Sequence, residues 1–216
     1  RVPLDFQAVT DHAAYLGMVP AMFDPDSSVA DHPIAAGLRN AKTASERRLA
    51  FGKLLPYLGQ QVEDDLLDMN IVRDTWAEIK ASAERNNEPG KFTTFIGYEY
   101  TSSQETFENL HRNVIFKGDA PKEPFSRLVS MNPENLWRWM DSLREQGMDS
   151  IAIPHNSNGS DGYMFAEKTY DGGEIDKNYA ALRMRNEPIV EVSQVKGTSE
   201  THPLQSPNDE WAAFEI

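Results

Sequence analysis

The chain has 216 residues, enough for one large domain with a hydrophobic core, and its 39% hydrophobic and 25% charged residues are ordinary for a globular protein. Thirty-four acidic residues against 21 basic ones leave a net charge of −13, which argues against nucleic acid or an anionic membrane as partner, since both need a basic face. Cysteine is absent, so disulfides, thiolate metal ligands and cysteine nucleophiles are excluded, and no apolar run nears the roughly 20 residues of a membrane span.

Taken in chain order, residues 4–10 (LDFQAVT) read as a short buried strand that stops at Asp11-His12. Residues 13–40 are rich in Pro, Asp and Ser and read as an irregular excursion. Residues 44–58 have helical character, broken near Pro56 and Gly59, and residues 62–87 form the clearest helix, with Leu66, Met69, Trp76, Ile79 and Ala83 at roughly helical spacing. Residues 92–99 (FTTFIGYE) and 111–116 (HRNVIF) read as strands. Residues 133–146 are a well-marked helix, with Asn132 as cap, Pro133 at its first position and Gly147 as its stop. Residues 150–153 form a short apolar strand ending at Pro154-His155, residues 179–184 a short helix and residues 189–192 a further strand. Strands alternating with helices predict an α/β architecture with a largely parallel sheet or barrel, as one domain over residues 1–216.

The ionisable residues fall at strand ends. The first strand runs into Asp11 and His12, the second ends in Glu99, and the strand before Pro154 runs into His155; His111 opens a strand instead. In parallel α/β folds the C-terminal strand ends form the functional face. Imidazole and carboxylate are the ligands that Zn²⁺, Mn²⁺ and Fe²⁺ accept where thiolates are lacking, and Glu99 could bridge two ions. Asp11 could orient a ligand ring or act as a base. A lone His or Glu at a strand end is more often a hydrogen-bonded structural residue than a ligand, and no two of these form a compact pair such as H-E-x-x-H.

Other residues carry two readings each. Arg112 and Arg185 are candidate anion clamps, or partners of carboxylates in this acid-rich chain. Asn156 and Asn158 could orient a ligand or substrate beside His155. Glu191 alternates with apolar neighbours and could face the barrel mouth or solvent, and His202 could line a substrate pocket or its own loop. His32, between Asp31 and Pro33, reads as structural. Trp137, Trp139 and Met140 read as core and surface of their helix, and Asp64, Asp65 and Asp68 as a solvated acidic face without calcium-loop spacing.

Residues 8–13 (AVTDHA), 96–99 (IGYE), 109–113 (NLHRN), 153–158 (IPHNSN), 185–188 (RNEP) and 196–200 (KGTSE) resemble, in order, a bacterial family designated domain of unknown function 3604. That family is similar to the PHP (polymerase and histidinol phosphatase) superfamily of metal-dependent hydrolases. The resemblance implies a distorted (β/α)₇ barrel with up to three divalent ions, Zn, Mn or Fe, at the C-terminal face of its strands. By motif it makes His12, Glu99, His111 and His155 metal ligands; the reading of the residues themselves adds Asp11, Arg112 and Arg185 as catalytic candidates and Asn156, Glu191 and His202 near the substrate. The resemblance also implies an N-terminal H-x-H and a C-terminal D-x-H, neither of which occurs here, so the expectation is of a fragment lacking the first and last metal motifs. Residue 1 is Arg rather than Met, so a removed leader is compatible and periplasm and cytoplasm both stay open.

The expected function is that of a metal-dependent, phosphoesterase-like hydrolase attacking a small polar ester with a metal-bound hydroxide. Two alternatives stand beside it. One is a noncatalytic barrel-type binding module with an incomplete metal site, which the absent motifs favour if the chain is natural and whole. The other is an amide or ester hydrolase on the same barrel, because fold does not fix substrate.

Overall fold

The computed structural model describes residues 4–59, 66–104, 108–195 and 197–214. Strand β1 (Phe6–Ala8) pairs in parallel with β2 (Thr93–Phe95), Phe6 opposite Thr93 and Ala8 opposite Phe95. A parallel bridge between His12 and Glu99 continues that register four residues on. β3 (Gly97–Tyr100) pairs antiparallel with β4 (Arg112–Phe116), which pairs antiparallel with β5 (Ser150–Pro154). β6 (Ser193–Gln194) and β7 (Gly197–Thr198) make a small antiparallel ribbon.

The barrel expected from the resemblance does not form. The sheets have two, three and two strands, and β4 runs against both its neighbours, so no ring of parallel strands closes among the described residues. The reason is local. Ser103 bridges Asn109 in the register already set by β3 and β4, so the chain turns back within a few residues. A parallel return needs a crossover of a dozen residues or more, usually helical, and there is no room for one. Residues 189–192, read as a strand, lie outside any strand; the pairing starts at β6 instead.

Seven helices surround these strands: α1 (Met18–Ala21), α2 (Pro33–Asn40), α3 (Ala44–Gly52), α4 (Leu55–Gly59), α5 (Met69–Asn86), α6 (Pro133–Arg144) and α7 (Lys177–Asn186) among the described residues. The supposed excursion over residues 13–40 therefore contains two helices and part of the core, with Ala13, Leu16, Met18 and Met22 buried. Its prolines mask this in the sequence: Pro20 and Pro33 sit in first turns, where no backbone donor is needed. His32 caps α2, its Nδ1 accepting from Ile34 N at 3.3 Å. Asp68, read as part of a solvated acidic face, also caps α5 by accepting from Asn70 N at 2.8 Å, and its other oxygen accepts from the Ser28 hydroxyl at 2.5 Å. Asp64 and Asp65 lie outside the described residues.

Period-two alternation gives the sheet one packed face. Tyr98, Tyr100, Val114, Phe116 and Ala152 are buried there. Trp76 of α5 meets Tyr98 edge-on at 5.7 Å and donates its indole N–H to Pro121 O at 2.8 Å. Leu136, Trp137, Met140 and Leu143 of α6 complete this core, below an Asn132 cap that accepts from Glu134 N at 2.8 Å. On the opposite face stand Glu99, Asn113, Ile115, Ile151 and Ile153, less deeply buried. Gly97 belongs to that face for a steric reason: a Cβ there would lie 2.8 Å from Ile115 Cδ1.

Candidate metal centre

β1 and its extension to His12, β3 and β5 all finish at one end of the sheet, and β4, running the other way, begins there. This is why His111, at the start of its strand, meets Glu99 near the end of β3 and His155 just past β5. His155 N donates to His111 O at 3.2 Å, which makes the two histidines cross-strand neighbours, and their rings stand edge-to-face at 5.7 Å. Ala13 N donates to Glu99 O and Glu99 N to Asp11 O, at 2.9 and 2.8 Å, so the backbone of the Asp11-His12 segment is fixed against β3.

Glu99 is the hub. Its Oε1 lies 2.9 Å from His111 Nδ1, 3.3 Å from His12 Nδ1 and 3.8 Å from His155 Nε2, and it accepts from the Thr101 hydroxyl at 2.9 Å. Glu99, His111 and His155 each offer a ligand atom within 4.8 Å of the others. His12 stands at the rim, its side chain 56% exposed against 13% for Glu99. Burial alone would raise the Glu99 carboxyl, but the ring N–H groups of His111 and His12 outweigh it and hold Glu99 far below the usual carboxylate range. His155 moves the other way: burial pushes its imidazole down, with the neighbouring His111 adding to the effect against the carboxylates of Glu99 and Glu191.

His12 is raised, chiefly by its hydrogen bond to Glu99, against the opposing effects of burial and of the Arg127 charge. A folded value above the reference of 6.5 means that this interaction stabilises the fold fully below pH 6.5 and is lost as pH rises through the folded value. In ion-free Glu99→Gln protein the midpoint of His12, followed by NMR of its imidazole Cε1–H, is expected to fall relative to wild type. An unchanged midpoint would contradict the assigned hydrogen bond.

Other predicted site residues divide into those the structure brings here and those it does not. Glu191 does come near, with its backbone N donating to Pro154 O at 3.0 Å. Burial would raise its carboxyl, but the Ser199 hydroxyl at 2.5 Å, Gln194 and Asn156 N hold it below the ordinary range. Asn156 follows His155 in the left-handed conformation (φ 56°), which Asn tolerates better than most residues, and its Oδ1 accepts from Gln194 Nε2 at 2.7 Å. Asp11 and His12 line a cavity of about 360 Å³ together with Tyr15 and Tyr57.

Arg112 lies elsewhere. On the packed face and 1% exposed, it donates to Glu187 at 2.7 Å and to Leu110 O. Arg185 pairs with Asp141 of α6 on the outer surface. Both thus take the carboxylate-partner alternative, and neither is brought to Glu99. His202 closes its own turn, its Nδ1 accepting from Leu204 N at 3.1 Å. Asn158 donates to Gln205 at 2.7 Å.

Three residues had no role in the sequence reading. Thr101 bridges Glu99 and His12, with its Oγ1 2.5 Å from His12 Nδ1. Glu187 anchors Arg112, Arg183 and Trp137. Arg127 is 7% exposed and donates to Tyr57 O. Thr101 carried a signal, because a residue two beyond Glu99 shares its face where the extended chain continues past β3. Glu187 carried only its place in the RNEP motif, and nothing marked Arg127.

The family model described as a protein of unknown function (DUF3604) matches residues 1–216. The chain belongs to that family. Comparisons with curated proteins and with solved structures gave no match to this DUF3604 chain. None of its described helices is long and apolar enough to cross a membrane.

Proposed function

We propose that this chain carries a divalent-metal centre, held by Glu99, His111 and His155, which serves hydrolysis of a small polar ester of the phosphoester type. The observation that supports this most is the convergence of one carboxylate oxygen and two imidazole nitrogens at one end of the sheet. The donor set suits Zn²⁺, Mn²⁺ or Fe²⁺. The separations of 2.9 and 3.8 Å from Glu99 fall inside the span of about 4.2 Å open to two ligands each roughly 2.1 Å from one ion. Three protein ligands also leave a coordination position open, as in catalytic rather than structural zinc sites.

A bound ion supplies Lewis-acid charge and brings a water's pKa toward neutrality. The protein's own groups prepare for it. Glu99 is ionised across the physiological range and contributes the negative charge. His155 is biased toward the neutral form a ligand must have. His12 and Asp11 stand at the exposed rim beside the cavity, placed to meet a substrate or a further ion. Asn156 and Glu191 flank the opposite side and fix the loop after His155. Phosphoester is the first substrate class to test because the motifs resemble those of PHP enzymes.

Protein loaded with Zn²⁺, Mn²⁺ or Fe²⁺ and then desalted is expected to retain ion by elemental analysis. It is expected to hydrolyse an aryl phosphate in preference to the matching ester and anilide, and EDTA should remove both properties. Ion-free protein after loading overturns the metal centre; preference for the anilide or carboxylic ester overturns the phosphoester assignment.

A further inference from the structure

Thr101 lies just past β3, between the Tyr100–Arg112 pair and the Ser103–Asn109 bridge, so it shares the face and the sheet end of Glu99. Its single hydroxyl makes two short contacts: 2.9 Å to Glu99 Oε1 and 2.5 Å to His12 Nδ1. His12 Nδ1 is itself 3.3 Å from Glu99 Oε1. Three polar atoms thus form a closed triangle, and the number of protons available to it decides the chemistry.

An ionised carboxylate only accepts, and a hydroxyl has one proton to give. If Thr101 gave that proton to His12, its oxygen would face Glu99 Oε1 with no hydrogen between them, and the bare Nδ1 lone pair would face the same carboxylate. Two contacts would be repulsive. If Thr101 donates to Glu99, and His12 carries its proton on Nδ1, all three contacts become attractive. The hydrogen bond at one ring nitrogen sets the tautomer of the other.

We propose that Thr101 is a positioning residue: its hydroxyl, donating to Glu99 and accepting from His12, holds His12 in the Nδ1–H tautomer and leaves Nε2 as the lone pair that the ring offers to an ion or substrate. The tautomer follows from the hydrogen-bond geometry, whereas its consequence for ion binding rests on the metal centre proposed above. His12 then differs from His111, which turns Nδ1 to Glu99 without an intervening hydroxyl. Thr101 also explains how an exposed histidine keeps one orientation: its ring is tied through the hydroxyl to a carboxylate that is itself fixed by His111.

The test uses ¹⁵N-histidine-labelled, ion-free protein at alkaline pH, where imidazoles are neutral, with the tautomer of each ring read from long-range ¹H–¹⁵N correlations. His12 is expected to be protonated on Nδ1 in wild type and in Thr101→Ser, and to move toward the Nε2–H form in Thr101→Val, which preserves side-chain shape. In parallel, Zn²⁺ affinity is expected to fall about 10- to 100-fold in Thr101→Val, the usual scale for loss of a group supporting a ligand, and to recover in Thr101→Ser. His12 keeping its proton on Nδ1 in Thr101→Val overturns the assignment, as does Thr101→Ser behaving like Thr101→Val. Equal Zn²⁺ affinity in all three proteins overturns the consequence for ion binding. If wild type binds no ion while the tautomer follows the hydroxyl, the metal centre fails and the positioning role of Thr101 is upheld.

Discussion

Replacing Glu99 by Gln is expected to weaken Zn²⁺ and Mn²⁺ binding by more than about 100-fold, beyond the 10- to 100-fold typical of supporting residues around a metal. Glu99 supplies the one carboxylate of the three-residue group, and its oxygen is near enough to His111 and His155 to share an ion with both. Glutamine keeps the length and the oxygen but removes the charge. Two neutral imidazoles and an amide then have to compensate a divalent cation in a pocket where water only partly helps, since Glu99 is 13% exposed. The variant should fold, because the Gln side chain can still accept from Thr101 and His111. Competition against a chelating dye measures the effect, and Arg185→Met serves as control, its guanidinium being engaged with Asp141 on the outer surface. A Glu99→Gln protein within threefold of wild type would remove the metal-centre reading. A control that lost affinity equally would show that the assay reports stability rather than ligation.

How far the sequence foretold this site can be judged residue by residue. The Pro133 helix was legible because its cap, first-turn proline and terminal glycine are local signals, and the structure ends it within two residues of Gln146. The strand before His155 was legible to within one residue, whereas residues 92–99 divide into β2 and β3, β1 stops at Ala8, and residues 189–192 form no strand. Strand direction was not legible. Whether a chain returns parallel or antiparallel depends on a pairing between distant residues, and here the Ser103–Asn109 bridge decides it. That single hairpin undid the barrel expected from the resemblance, yet it also explains His111: an antiparallel strand must begin where its neighbours end. Side-chain direction followed from alternation once the register was known. Arg112 follows His111 directly and therefore points to the other face, out of reach of Glu99. Guanidinium chemistry suggested an anion clamp, and the period of two rules against one beside Glu99. Thr101 was missed although its place two beyond Glu99 put it on the same face, because a threonine beside a strand is common and its two contacts depend on the fold.

Glu187→Ala is expected to destabilise the fold by about 3–5 kcal/mol, the cost of leaving a buried charge without its partner. The pair it breaks is among the most enclosed in the molecule, Arg112 being 1% and Glu187 2% exposed. Glu187 Oε1 accepts from Arg112 Nε at 2.7 Å and from the Trp137 indole at 2.8 Å, while its Oε2 accepts from Arg183 at 3.0 Å. The one carboxylate thus ties β4, α6 and α7 together, and its removal strands a guanidinium and an indole N–H in a place water does not reach. Arg183 suffers less, since it also donates to Met164 O at 2.7 Å and lies over the Trp137 ring. For a chain of this length each kcal/mol moves the melting temperature by roughly 2–4 °C, so a fall of about 6–20 °C is expected by calorimetry. Glu187→Gln should lose less, because its amide oxygen still accepts from Trp137 or Arg112. Protein of either variant that remains folded at low temperature should bind Zn²⁺ within a few-fold of wild type, because the pair lies on the packed face and the metal centre on the other. A variant that melts normally would show that neighbouring carbonyls satisfy Arg112. One that stays folded yet loses ion binding would instead couple the two faces of the sheet through the His111–Arg112 backbone.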